Sequence, residues 1–229
     1  MKVLIHQPSY FPWIGLFDLI ERADMVIWYD TAQYTKNDWR NRNRIKGPSG
    51  PMWMTVPVHG STHKAIRDIV PANDEWRNTH LKMLRMNYAK APYFSEVMDL
   101  VEYSMSCPYG KSIADIAAHC TMRCVDYMRI KREVRWVSKL ENDGCSSAFT
   151  DDPTQKLIRM IRFVNGTEYI TSDGAKGYLD TKQFDSEKIR VKFHNYRHPV
   201  YPQLWGDFVS HLSILDMLFN CGSDTGQLL

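Results

Sequence analysis

The sequence predicts an α/β fold: a Rossmann-like, mostly parallel sheet flanked by helices, with a helical section in its middle. Three observations predict it. The apolar runs "KVLI" and "MVIW" bracket a stretch in which Leu16, Phe17, Leu19, Ile20 and Ala23 recur at helical spacing. Strand, helix and strand over so short a span is the βαβ pattern of a parallel sheet. A third apolar run, "EYITS" (168–172), follows another helical pattern much later in the chain.

The elements follow in order. "KVLIHQP" is a first strand ended by Pro8, and a helix over Ile14–Ala23 leads to the strand "MVIWYD" (25–30). "NRIK" and "MWMTVPV" (52–58) flank Gly47-Pro48-Ser49-Gly50, which predicts a hairpin. "AIRDIVPA" (65–72) reads as a short strand. The helical section spans about 74–128: one helix capped by Asp74 and stopped before Pro92, a second over Tyr93–Ser104, a third over Ser112–Met128. "EVRWVSKL" (133–140) reads as a strand and "ENDGCSSAFT" as a loop. Asp152-Pro153 is an N-cap followed by proline at the first helical position; the helix runs to about Val164, with Gly166 at C′. After "EYITS" comes the loop "DGAKGYLD". In "KIRVKFHNY", Ile189, Val191 and Phe193 alternate with Arg190, Lys192 and His194, as in a half-buried strand. "SHLSILDMLFNCG" closes as a helix. Residues 1–222 are thus expected to form a single α/β domain, and 223–229 a frayed tail.

Bulk properties exclude several classes. No apolar run approaches the ~18 residues of a membrane span. The amino terminus lacks the apolar core of a secretion signal. Five cysteines without a CxxC pair suit free thiols in a reducing cytoplasm, the expected location. A net charge of +3 is too small to imply nucleic-acid binding by itself. Cys120 and Cys124 lie four apart beside His119, but no further ligands are spaced to complete a metal site, so none is expected. GxGxxG, GxSxG, HExxH and kinase signatures are absent, and no cofactor is specified.

The polar residues gather in a pattern. Three expected strands end in polar groups: His6-Gln7, Asp30, and Ser172-Asp173-Gly174. If the strands are parallel neighbours, all three groups lie at the carboxyl edge of one sheet, where open α/β sheets bind ligands. His6 is the first candidate base and His80 the second, although His80 also reads as a core histidine; Asp30 would orient His6, bind a sugar hydroxyl, or cap the next turn. "YTKNDWRNRNR" combines Lys36, Arg40, Arg42 and Arg44 with Trp39, Asn41 and Asn43. Such a run suits phosphate or nucleotide binding, and equally a solvated basic hairpin. Tyr10, Trp13 and Trp39 offer stacking faces. Lys176 in "SDGAKGY" can meet an anion, and His198 is held between Arg197 and Pro199.

The segments "HQPSYFPWIGLF", "YTKNDWRNRNRI", "WMTVPV", "HLKMLRMNYAKAPYF", "TSDGAKGYLD", "YRHPVYPQ" and "FVSHLSILDMLFNCG" occur in this order along nearly the whole chain. On these segments the sequence resembles the WbqC-like family of bacterial proteins. The resemblance implies a place in O-antigen or other surface-polysaccharide biosynthesis. It also implies an aminoacyltransferase that places glycyl or a similar group on an amino sugar. The expected partners are therefore a nucleotide-linked amino sugar and an activated donor, which is an aminoacyl-tRNA, an adenylate or a carrier thioester. The resemblance transfers no catalytic residues. The residues themselves nominate His6 or His80 as base, Gln7, Asn41 or amides near Gly174 as oxyanion donors, and Lys36 and Arg42 for the diphosphate. Two other readings stay open: nucleotidyl transfer or adenylation using ATP and Mg²⁺, and a non-catalytic sugar-nucleotide or glycan-binding role.

Overall fold

The computed structural model describes residues 1–59, 63–106 and 112–228. Cys107 lies outside them. The chain divides into two compact units. The first comprises Met1–Gln7, Phe17–Thr31 and Arg132–Arg197, and the second Pro8–Leu16, Ala32–Lys131 and His198–Leu229.

The first unit is built on β1 (Lys2–His6), β2 (Met25–Trp28), β7 (Glu133–Trp136), β8 (Glu168–Thr171) and β9 (Arg190–Phe193). Every pairing among them is parallel, in the order β7-β2-β1-β8-β9. The predicted α/β class and parallel sheet are therefore present. Alternation sends Val3, Ile5, Met25, Ile27 and Tyr169 to one face. There they form a core with residues of α5 (Val137–Asn142), α6 (Pro153–Phe163) and α7 (Thr181–Ser186). Asp152 caps α6, accepting from Thr154 and Gln155 at 2.8 and 3.3 Å. The left-handed position after α6 is Asn165 (φ 58°), one residue before the expected glycine. Gly166 serves a different need. A Cβ there would lie 2.7 Å from both Val3 and Ile161, so only glycine lets the turn pass so close to β1.

Two local expectations fail in this unit. "EVRWVSKL" is a strand only to Trp136; α5 starts at Val137, because Asp30 accepts from the Ser138 amide at 3.0 Å. The expected loop "ENDGCSSAFT" holds a 3-10 turn at Ser146–Phe149.

The second unit contains α2 (Glu75–Tyr88), α3 (Phe94–Met105), α4 (Ile113–Tyr127) and α8 (Ile214–Cys221). It also has two antiparallel pairs, β3 (Arg42–Gly47) with β4 (Gly50–Thr55) and β5 (Val58–His59) with β6 (Val70–Pro71). The amino-terminal turn of α1 (Ile14–Arg22) belongs here, and the rest of that helix to the first unit. Asp74 does not cap α2; the Asn73 side chain accepts from the Glu75 amide instead, at 3.0 Å. "AIRDIVPA" is a 3-10 turn (Ile66–Asp68) followed by two strand residues, since Ile66 and Ile69, three apart, are both buried. The expected tail is wound into 3-10 turns over Gly222–Leu228, with Thr225 buried.

A buried polar network fixes the segment before α8. Asp216 accepts from Tyr88 (2.6 Å), Tyr201 (2.9 Å) and Gln203 (2.8 Å). The buried Lys46 ammonium donates to Gln203 and to the Asp207 carbonyl. Burial raises the Asp216 carboxyl, against the three donors that hold it down.

Candidate functional site

At the carboxyl edge of the sheet, the strand order reverses on β1. From β1 the chain goes to β2 and then β7 on one side, and later to β8 and β9 on the other. Loops leaving β1 and β8 therefore diverge, and such a switch point is where open α/β sheets form a ligand crevice. The β1–β8 pairing runs to Leu4 and Ile170, and His6 and Ser172 each follow two residues beyond that pair. Thr171 pairs with Phe193, the last pair of that ladder, and the His194 amide donates to the Thr171 carbonyl at 2.9 Å, so Ser172 and His194 each leave their strands just beyond it. His6, Ser172 and His194 thus lie at the carboxyl ends of three neighbouring strands.

The His6 tautomer follows from its partner. Nδ1 lies 2.7 Å from the Gln7 carbonyl oxygen, which can only accept. Nδ1 therefore carries the proton, and in the neutral ring Nε2 carries the lone pair. Ser172 and Gly174 are exposed at the start of the 3-10 turn Asp173–Gly177. Asp173 has a more structural task than ligand contact. It pairs with Lys176 at 2.5 Å and accepts from the amides of Asn195 and Tyr196, tying the loop after β8 to the segment after β9. The Lys176 hydrogen bond, first among these, holds the Asp173 carboxyl below the ordinary range. Lys176 is thus engaged with a carboxylate rather than held open for an anion. Asp30 is buried, and one of its oxygens accepts from the Ser138 amide, which starts α5.

His194 went unrecognised in the sequence. Its Nε2 is hydrogen-bonded to Asp18, whose carboxylate also receives the Arg22 Nε at 2.9 Å on both oxygens. The only local signal was alternation, which placed His194 on the polar side of its strand.

In the second unit the candidates separate into structural and exposed groups. His80 is buried; Nε2 faces the Thr55 carbonyl at 3.1 Å and Nδ1 the Tyr10 hydroxyl at 3.0 Å. Burial lowers its pKa to about 4. With both nitrogens in use inside the core, it is a packing histidine and not the base. Tyr10 is fully buried beside it, so its ring is not a stacking face.

Arg40, Asn41 and Asn43 are buried as well. Asn43 donates to the carbonyls of Tyr10 (3.3 Å) and Phe11 (2.8 Å), and Arg40 to that of Pro8 (3.3 Å). Thr121 donates to the Ser9 carbonyl and Ser213 to that of Phe11, at 3.0 and 2.8 Å. The segment "PSYFP" is therefore gripped by its backbone, which holds Phe11 at a φ of 38°. Asn41 is used by the Val56 carbonyl and the Tyr34 hydroxyl, so it is not an oxyanion donor.

Trp13 is half-buried, stacked on His198 at 6.3 Å and on His211 at 5.0 Å. His198 donates from Nδ1 to the Pro199 carbonyl and accepts at Nε2 from the His211 amide, which pins the extended loop. Burial lowers its pKa. Lys36, Trp39 and Arg42 remain outward, on and before the β3–β4 hairpin.

Among the described residues, no group of three or more His, Cys, Asp or Glu side chains could hold a metal ion. No helix among them is long and apolar enough to cross a membrane.

The parallel sheet and its order reversal define an α/β protein of the Rossmann-like class. Within that class the chain belongs to the WbqC-like protein family, whose model matches residues 7–228. It is also 36% identical over 231 residues to the uncharacterized protein Rv1507c of Mycobacterium tuberculosis (strain ATCC 25618 / H37Rv), covering 100% of this chain and 97% of that protein. No solved structure matches the chain.

Proposed function

We propose that the protein is an enzyme that acylates the amino group of a nucleotide-linked amino sugar, with glycyl or another aminoacyl group, in surface-polysaccharide biosynthesis. The observation that carries this reading is His6 at the switch point, with Nδ1 committed to the Gln7 carbonyl and Nε2 bearing the lone pair. The sugar amine attacks the donor's acyl carbon only when neutral. As the C–N bond forms, His6 Nε2 takes the amine proton. The tetrahedral oxyanion is met by the Gln7 side-chain amide and the backbone amides that open the Asp173–Gly177 turn. When the intermediate collapses, the bond to the donor's oxygen or sulfur breaks and His6 returns the proton to that leaving atom. The Ser172 hydroxyl, exposed just past the end of the neighbouring strand β8, orients a sugar hydroxyl.

Thermal-shift screening against UDP- and dTDP-linked amino sugars, the same sugars without the amine, and ATP tests the acceptor. A ligand at a hundredfold over its Kd adds about 2.7 kcal/mol. Mass spectrometry of the stabilising sugar with candidate donors then tests transfer. His6→Ala is expected to lower turnover about 100-fold or more while leaving acceptor affinity nearly unchanged. Full activity in His6→Ala would overturn the mechanism. Stabilisation by ATP alone with pyrophosphate release would replace acylation by nucleotidyl transfer. Sugar binding without turnover would make the protein a binding module.

A further inference from the structure

The grip on "PSYFP" uses the inward residues of the segment 40–44 and leaves the outward ones with no such task. Trp39 and Trp53 are 41% and 43% exposed, with ring centroids 5.6 Å apart. Arg44 pairs directly across the hairpin with Trp53. The Arg42 and Arg44 guanidinium carbons lie 4.0 and 5.8 Å from the Trp53 ring. Arg42 donates to the Asn37 carbonyl through one nitrogen, and its Nε is buried without a partner. Among the described residues the Arg44 guanidinium makes no hydrogen bond or ion pair, and neither does the exposed Lys36 ammonium. The acid nearest in sequence, Asp38, is engaged by Arg40 at 3.5 Å.

We propose that this outward hairpin face binds single-stranded nucleic acid. Two neighbouring exposed indoles beside uncompensated cations suit a ligand with flat π-faces and regular negative charge. An acidic peptide has the charge without the faces, and a neutral glycan has no use for the guanidinium groups. Arg42 and Arg44 are two residues apart on one strand, which sets their backbones about 6.6 Å apart along its axis. That spacing follows an extended phosphodiester chain, whose bases then reach the indoles. Duplex nucleic acid keeps its bases stacked internally and offers only the phosphates. The modest net charge of the chain does not oppose this, because the cations are concentrated on one strand face. The assignment does not rest on the sheet-edge reaction, and its test contains neither sugar nor acyl donor.

The experiment is fluorescence anisotropy of the full chain with a labelled mixed-sequence single-stranded RNA of about 12 nucleotides. The arms are the same sequence as single-stranded DNA, the duplex, and unlabelled UMP as competitor. Single strands are expected to bind, with a log–log salt slope of about −2 for three phosphate contacts. Trp39→Ala is expected to weaken binding about tenfold, and Arg44→Glu at least as much. Both are surface changes, and unchanged thermal melting verifies that each variant is folded. RNA bound more tightly than DNA, or the reverse, identifies which strand is taken, and either supports the assignment. No binding, equal binding of the duplex, full displacement by UMP at the strand's own concentration, or binding untouched by both variants would overturn it.

Discussion

His194 donates from Nε2 to the Asp18 carboxylate in a hydrogen bond whose two side chains are each only 2% exposed. This pair anchors α1 to the end of β9 within the sheet unit, and Arg22 completes it from the next turn of the helix. Burial pushes the Asp18 carboxyl up, yet the hydrogen bonds from His194 and Arg22 outweigh it and hold the pKa below 3.8. A carboxylate depressed on folding contributes its stability in full above the unfolded value. That contribution disappears as the pH falls through the folded value. Asp18→Asn is therefore expected to cost about 3 kcal/mol in urea unfolding at pH 7, since it removes the buried negative charge that His194 and Arg22 share. The difference from wild type should shrink below pH 3.8. A constant difference across that range would show that the loss is one of packing alone.

His80 gives the opposite window. Its folded pKa, about 4, lies below the ordinary 6.5, so the unfolded chain binds the extra proton between those values. Stability is then full above 6.5 and falls as the pH drops toward 4, by about 3 kcal/mol in all. Guanidinium unfolding at closely spaced pH values should show this slope in wild type and a flatter one in His80→Gln.

Asn43→Ala leaves the Tyr10 and Phe11 carbonyls without their shared donor. Buried acceptors stripped of a partner cost about 1–3 kcal/mol. The loss is expected in thermal melting. Arg44→Ala on the opposite face of the same strand is expected to leave the melting temperature nearly unchanged. Equal losses at the two positions would contradict the inward and outward assignment.

The sheet was legible because its apolar runs are short and sharply bounded, and the end of each strand could be seen to carry polar groups. His6, Gln7 and Ser172 were nominated in that way. Other features depend on distant partners. The start of α5 is decided by Asp30, 108 residues earlier, and no local window sees that bond. "YTKNDWRNRNRI" misled for a chemical reason. Guanidinium and amide N–H groups donate equally well to phosphate oxygens and to backbone carbonyls, so Arg40, Asn41 and Asn43 carry the same signal in either role. Arg40 and Asn41 are both buried while Trp39 is exposed, so the segment ahead of β3 does not alternate and its inward side could not be read from spacing. His194 stayed hidden because its partner, Asp18, sits 176 residues away.

The position of β1 also has a consequence for how the chain folds. This strand stands at the centre of its sheet, with β2 close behind it in the chain but β8 far off; Met1 and Thr167, which meet beside that second seam, are 166 residues apart. The whole helical section must be made before β1 can gain its other neighbour. Contacts of such long separation are slow to form, and until then one edge of the central strand stays unpaired. The half-finished protein is thus its most aggregation-prone form, and a pause in synthesis before β8 would prolong it.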